Sequence, residues 1–399
     1  MQKGKYFVLF IISWVPFIMV LGNSMLIPAL PALRKAMDIS SLQAGLLITL
    51  FSLPAAIAIP FLGFLADRIG RKPVIVLSLL IYGIGGLICG ASALWMEKPY
   101  MGIVVGRIIQ GVGGAGTAPI AMALTSDIFT ENERSQAMGI NEAANGFGKV
   151  LSPVLGSVFV MISWYLLFFV YAVISFPVAI AVYLFVKEKD MGPKSRIEEY
   201  FHGVMELMKN KRWPFMACLL AGATAFFTLF GILSYVSDVL ENGYGIRGIY
   251  KGLLIAIPVF TMSITSFING VVLKKKKSFK LTVEIGLIIL GAIMTISIFV
   301  KNITVFMALL GIMGFGVGLI LPSLNTLITS SVPMGKRCSV TAVYGSIRFI
   351  GVAAGPPVFD YLLGMSRWIM VAVPAVLSFL ALIFCAIKLN QDIMLEFRD

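Results

Sequence analysis

Charge is what this sequence has least of. Asp, Glu, Lys and Arg make up 13% of its 399 residues, where a soluble domain carries about a quarter. With 59% hydrophobic residues and a mean hydropathy of +0.95, that scarcity excludes an ordinary water-soluble enzyme. Histidine is rarer still. The single His202 lies in a polar stretch and reads as a solvated loop residue, so no imidazole is left for a metal cluster or a catalytic triad. The four cysteines, Cys89, Cys218, Cys338 and Cys385, fall in or beside apolar runs without metal or disulfide spacing, and read as small core residues. Strand-type alternation is missing, and so is any nucleotide-binding P-loop, so ATP drive is not expected.

What is present is a succession of long apolar runs. A helical membrane span needs roughly 20 such residues. In hydrocarbon each backbone amide must be satisfied within the protein, which restricts spans to helices once barrel strands are excluded. Twelve spans are predicted, at about 6–28, 42–62, 74–95, 101–126, 137–159, 164–186, 214–236, 251–272, 281–300, 304–328, 338–361 and 368–388. Only Lys3 and Lys5 precede the first, with no small-residue cleavage site, so it reads as a retained helix rather than a signal peptide. The net charge of +13 does not imply a nucleic-acid partner. Lys and Arg concentrate in the segments on the side of both termini, above all at Lys274 to Lys277 and in the central loop. That is the positive-inside pattern, and it places both termini in the cytoplasm with the chain threading the plasma membrane many times.

The longest polar stretch, 186–214, separates the spans six and six. The expected organisation is an N-terminal six-helix bundle over 1–186, a cytoplasmic linker over 187–213, and a C-terminal six-helix bundle over 214–399. Within the linker, Ile197, Phe201, Val204, Met205 and Met208 recur at helical spacing and predict an amphipathic helix on the inner membrane surface. The halves are related. Gly111, Gly113 and Pro119 recur 203 residues later as Gly314, Gly316 and Pro322. The same displacement carries Arg134 to Arg337, Gly148 to Gly351 and Pro153 to Pro356. One offset spanning two helices and their loop reads as an internal duplication, so the fold class is all-α, with two pseudo-symmetric bundles. In duplicated transporters the substrate sits between the halves near the bilayer midplane.

Between spans 2 and 3 lies GFLADRIGRKP (63–73), a tight turn with Gly63 and Gly70, the acid Asp67, and the bases Arg68, Arg71 and Lys72. As chemistry it is a basic inner loop whose acid can meet a base or a helix end. The segment closely resembles the signature loop of the major facilitator superfamily. LGNSMLIPALP (21–31), GRIIQGVGGAG (106–116) and GFGKVLSPVLGS (146–157) resemble the first-, fourth- and fifth-span motifs of its twelve-span drug:proton antiporters, the last with departures. By that resemblance Asp67 and Arg71 belong to a gate latch, with Asp127 as the partner of Arg71. Arg107 couples to proton movement, and Gly148, Pro153 and Gly156 form a close, bendable contact with a helix of the other half. The second copy of the loop, GVVLKKKKSFK (270–280), has no acid, which predicts asymmetric gating.

Four charges fall within predicted spans: Arg107, Glu142, Lys149 and Arg348. An ion at membrane depth costs several kcal/mol by insertion scales, about 2.5–3.5 for Arg, Lys or Asp, so such groups normally face a cavity. Asn141, Asn145 and Lys149 repeat every four residues as one helical stripe, with Glu142 one position around. Together with Asn23, Asn325 and Arg348 they are the expected cavity residues. Glu142 is the only carboxylate well inside a span and is the first candidate to carry a proton, with Asp127 second. Three bases against one acid favour an anionic or zwitterionic amphiphile. The expected function is proton-coupled export of small amphipathic molecules, as in multidrug efflux, by a monomer using alternating access. No cofactor is expected beyond the proton gradient. The alternatives are an exporter of one anionic metabolite, such as a siderophore or lysolipid, and a non-transporting receptor built on the same fold.

Overall fold

The computed structural model describes residues 3–129, 131–188, 197–276, 278–333 and 337–397. Lys277, the first part of the linker, and the side chains of Lys274, Ile197, Phe201 and His202 lie outside the described residues. The described residues form helices α1 (Lys3–Ser24), α2 (Leu30–Met37), α3 (Ser41–Ile69), α4 (Arg71–Trp95), α5 (Tyr100–Ala115), α6 (Ala118–Ile128), α7 (Glu131–Ile162) and α8 (Leu166–Phe185). There follow α9 (Ile197–Asn210), α10 (Arg212–Asp238), α11 (Gly248–Lys276), α12 (Phe279–Phe299), α13 (Ile303–Thr329), α14 (Arg337–Met365), α15 (Arg367–Lys388) and the short α16 (Gln391–Met394). No strand occurs among them, and twelve helical spans are long and apolar enough to cross a membrane.

Two spans are less regular than their hydropathy suggests. The fourth breaks between α5 and α6, where the Thr117 hydroxyl bonds back to the Gly114 carbonyl at 2.5 Å. Pro119, second residue of α6, has no N–H to continue the ladder. The first span stops at Ser24 rather than near residue 28, because Pro28 and Pro31 start a 3-10 turn (Ile27–Ala29) and then α2. The linker helix α9 forms as predicted, but it buries Leu207 and packs on α14, leaving Met205 and Met208 exposed.

The chain resolves into two compact units. Unit 1 comprises Met1–Arg196 with Ser237–Gly252, and unit 2 comprises Ile197–Val236 with Leu253–Asp399. The linker helix therefore goes with the second unit, and the turn between α10 and α11 with the first. In unit 1, α4 packs on α5 and α8; in unit 2, α12 packs on α13 and α15 in the same way. The repeated glycines explain the match. A Cβ on Gly111 of α5 would strike the Phe51 carbonyl of α3, and one on Gly314 of α13 would strike the Pro258 carbonyl of α11. Likewise Gly148 of α7 sits on Phe17 of α1, and Gly351 of α14 on the Ala223 backbone of α10. Small residues let helices approach closely in lipid, where water supplies no hydrophobic drive between them.

Candidate functional site

Arg107 is placed by the buried face of α5, which also carries Ile103, Gly106 and Gln110. Its guanidinium is 0% exposed. It donates to the carbonyls of Leu47 (3.0 Å) and Gly22 (2.9 Å), to Gln110 Oε1 (2.8 Å) and to Asn23 Oδ1 (2.9 Å). The Phe51 ring lies 4.6 Å away. Each acceptor is neutral. The Gly22 carbonyl belongs to the last turn of α1, where Leu26 N–H turns to Asn23 instead, so Arg107 supplies a donor to a helix end with negative dipole. The arginine thus pins the break in the first span. Asn23, expected in the cavity, is buried in this network, its Nδ2 donating to Ser52 Oγ at 2.6 Å.

The stripe on α7 divides. Asn141, expected beside a path, is fully buried, accepting from Ser13 of α1 (2.8 Å) and donating to Thr125 of α6 (2.5 Å). Glu142, one position round, is exposed and makes no ion pair among the described residues. Asn145 and Lys149 are half-buried. A four-residue repeat drifts by about 40° per step, enough to carry the stripe from under α1 to a more open flank. Arg107 and Glu142 are therefore not brought together. Gly148 abuts Phe17 of α1 and Gly156 abuts Met25 just beyond it, within the same unit, while the Pro153 carbonyl and Ser157 meet Gly252 at the start of α11.

At the end of unit 1 where α4 begins, Arg71 bonds the carboxylate of Asp127 and the Ala123 carbonyl (2.8 Å), with Asp67 at 3.6 Å. Gly70 takes φ +104°, a conformation that suits glycine, and turns α3 sharply into α4. Glu188, just beyond α8, accepts from the backbone N–H of Arg71 (2.6 Å) and of Lys72 (3.0 Å), placing a carboxylate on the positive end of α4. Lys72 also lies 5.4 Å from the Tyr183 ring, and Arg68 is exposed. Gly63 lies half-buried in the last turns of α3. Sequence reasoning missed Glu188. Its only signal is position, as the first acid after the apolar run of α8. It also missed the buried pair of Lys251 and Glu241 (2.5 Å) and the pair of Arg34 and Asp238 (3.2 Å), which hold the turn after α10 in unit 1. Lys251 opens the expected span 251–272 and was legible as a charge there.

In unit 2, Arg348 of α14 is half-buried, with its guanidinium 4.6 Å from the Phe226 ring and 5.2 Å from the Tyr344 ring. Its Nε has no hydrogen-bond partner, and no carboxylate pairs with it among the described residues. Two ring faces attract the cation and leave its donors available. Asn325 of α13 is exposed.

Comparison with known proteins gives a consistent set of likenesses. The family model described as Major Facilitator Superfamily matches residues 12–356 and 237–392. The chain is 37% identical over 377 residues to the bacillibactin exporter of Bacillus subtilis (strain 168), covering 93% of each. It is 27% identical to the multidrug efflux protein YfmO of the same organism, covering 84% of this chain and 81% of that one. Among solved structures, a bacterial homolog of the human lysosomal transporter Spinster superposes with a TM-score of 0.77 at 16% identity, covering 97% of both chains.

Proposed function

The chain belongs to the major facilitator superfamily, whose members here are multi-pass membrane transporters and not enzymes, and from that premise we propose that it exports a small anionic amphiphile of the siderophore class. The observation that carries this reading is Arg348. A guanidinium in a membrane span, flanked by Phe226 and Tyr344 and met by no carboxylate among the described residues, is suited to an anion that also presents an aromatic or apolar face. The similarity to a bacillibactin exporter over nearly the whole length supports the same class. Transport runs by alternating access across the plasma membrane, with both termini cytoplasmic, and the proton gradient drives it. Glu142 is the proton carrier: it is exposed on α7 and commits its carboxylate to no ion pair among the described residues, whereas Arg107 is fully committed to carbonyl acceptors. Its protonation removes a negative charge one turn or two from Lys149 and so alters which state of the transporter is favoured.

The test is efflux from proteoliposomes under an imposed pH gradient. Catecholate siderophores should compete for transport, and Arg348→Gln should lose that competition while the protein remains in the membrane. Competition by lipophilic cations alone would overturn the anionic assignment. A broad multidrug range is the second reading, favoured by the likeness to a multidrug efflux protein; mutual competition between cationic dyes and catecholates would support it. Glu142→Gln should abolish pH-driven flux yet spare exchange of substrate across a membrane without a gradient. Undiminished pH-driven flux would remove Glu142 from the coupling.

A further inference from the structure

The second copy of the signature loop, 270–280, has no acid to match Asp67, so unit 2 cannot build the Asp67–Arg71–Asp127 arrangement. Something else holds the corresponding end of that unit. The 203-residue offset takes Glu188 to Gln391 and Asp127 to Ser330. Gln391 Oε1 accepts from the N–H of Lys280, the second residue of α12, at 3.1 Å, just as Glu188 accepts from Lys72, the second residue of α4. The Ser330 carbonyl accepts from Phe397 N–H at 3.0 Å, so the segment after α16 sits where the Asp127 partner would be sought.

The rest of the segment 389–397 fastens at further points. Lys211, at the start of α10, pairs with Glu396 at 2.5 Å, donates to the Ser331 carbonyl at 2.9 Å, and lies 5.1 Å from the Phe397 ring. Arg337, at the start of α14 and the repeat of Arg134, donates to the Phe397 carbonyl at 2.8 Å. Leu389 and Met394 are buried beneath. Asn390 caps α16, fixing the turn out of α15. One short segment thus ties together the ends of α10, α12, α13 and α14.

We propose that residues 389–397 are a releasable clasp that replaces, in unit 2, the acid–arginine latch of unit 1 and sets how readily that end of the unit opens. A short segment held by one half-exposed ion pair and a few backbone bonds belongs to the low-stability end of a protein's local openings. Glu396 is 56% exposed, which makes the pair accessible to salt.

The chain supplies its own reporter. Of its four cysteines only Cys338 is exposed, and it adjoins Arg337. Maleimide labelling of the full-length protein in proteoliposomes should proceed about two- to fivefold faster in Glu396→Gln than in wild type, the population change expected on losing one half-exposed ion pair. A chain ending at Lys388 should label faster still, and the charge swap Lys211→Glu with Glu396→Lys should return the rate toward wild type. Asp392→Asn, in the same segment but pairing with neither Lys211 nor Arg337, should label as wild type. Should the truncated chain not fold, Glu396→Gln and the charge swap still decide the matter. Labelling unchanged in Glu396→Gln, or a swap no slower than the single variant, overturns the clasp. The readout needs no flux, so it stands or falls separately from the cargo and from proton coupling.

Discussion

A buried guanidinium without a counter-ion is stable only if its donors meet acceptors at the right angles, and Arg107 meets four from two other helices and its own. Its place in a recognisable motif is visible in the sequence. Its neutral coordination is not, because backbone carbonyls have no sequence signature. The same limit hides the fate of Asn141, whose partners Ser13 and Thr125 lie 128 and 16 residues away. Glycines are easier to read, and they give a paired prediction. Gly111 faces the backbone of α3, whereas nothing lies within 4 Å of a Cβ on Gly139. Gly111→Ala should lower stability by about 1–3 kcal/mol through overpacking. Gly139→Ala should raise it by about 0.5–1 kcal/mol, the helix-interior difference between the two residues. Thermal unfolding of the purified proteins in detergent checks both, and shifts of equal sign would contradict the packing argument.

At the scale of elements, the turn from α3 into α4 depends on a capping carboxylate from elsewhere in the chain. Glu188→Gln keeps hydrogen-bond acceptance but removes the negative charge, and should cost about 0.3–1 kcal/mol at the α4 terminus. Glu188→Ala also orphans two N–H groups and should cost more, about 1–3 kcal/mol if they stay dry. Thermal unfolding ranks the two; equal losses would show that the charge, not the acceptor, carries the cap. The twelve helices themselves were legible because apolar runs of sufficient length have few other uses. Their interruptions at Ser24 and at Thr117 were less so, since Pro and Gly are tolerated inside other spans here, as at Pro54, Pro60 and Pro177.

At the scale of the molecule, the duplication was legible from one constant offset, and the glycine contacts show what that offset preserves. The unit boundaries were harder to read. Ser237–Gly252 follows unit 1, although it is continuous with α10 and α11, because Lys251, Glu241, Arg34 and Asp238 pair there and Gly252 meets Pro153. Such pairings between distant charges leave no periodic trace.

The glycine contacts also divide the molecule into parts that tolerate alteration and parts that do not. Where one backbone rests directly on another, there is no side chain to trim and no slack to take up, so a pair of helices behaves like a welded joint. The fastenings at the helix ends are of another kind, closer to buckles: a carboxylate pair on one copy and the segment 389–397 on the other do comparable holding. Randomising positions 63–73 with Gly70 kept, and 389–397, should therefore yield many working transporters, while randomising Gly111, Gly148, Gly314 and Gly351 should yield few.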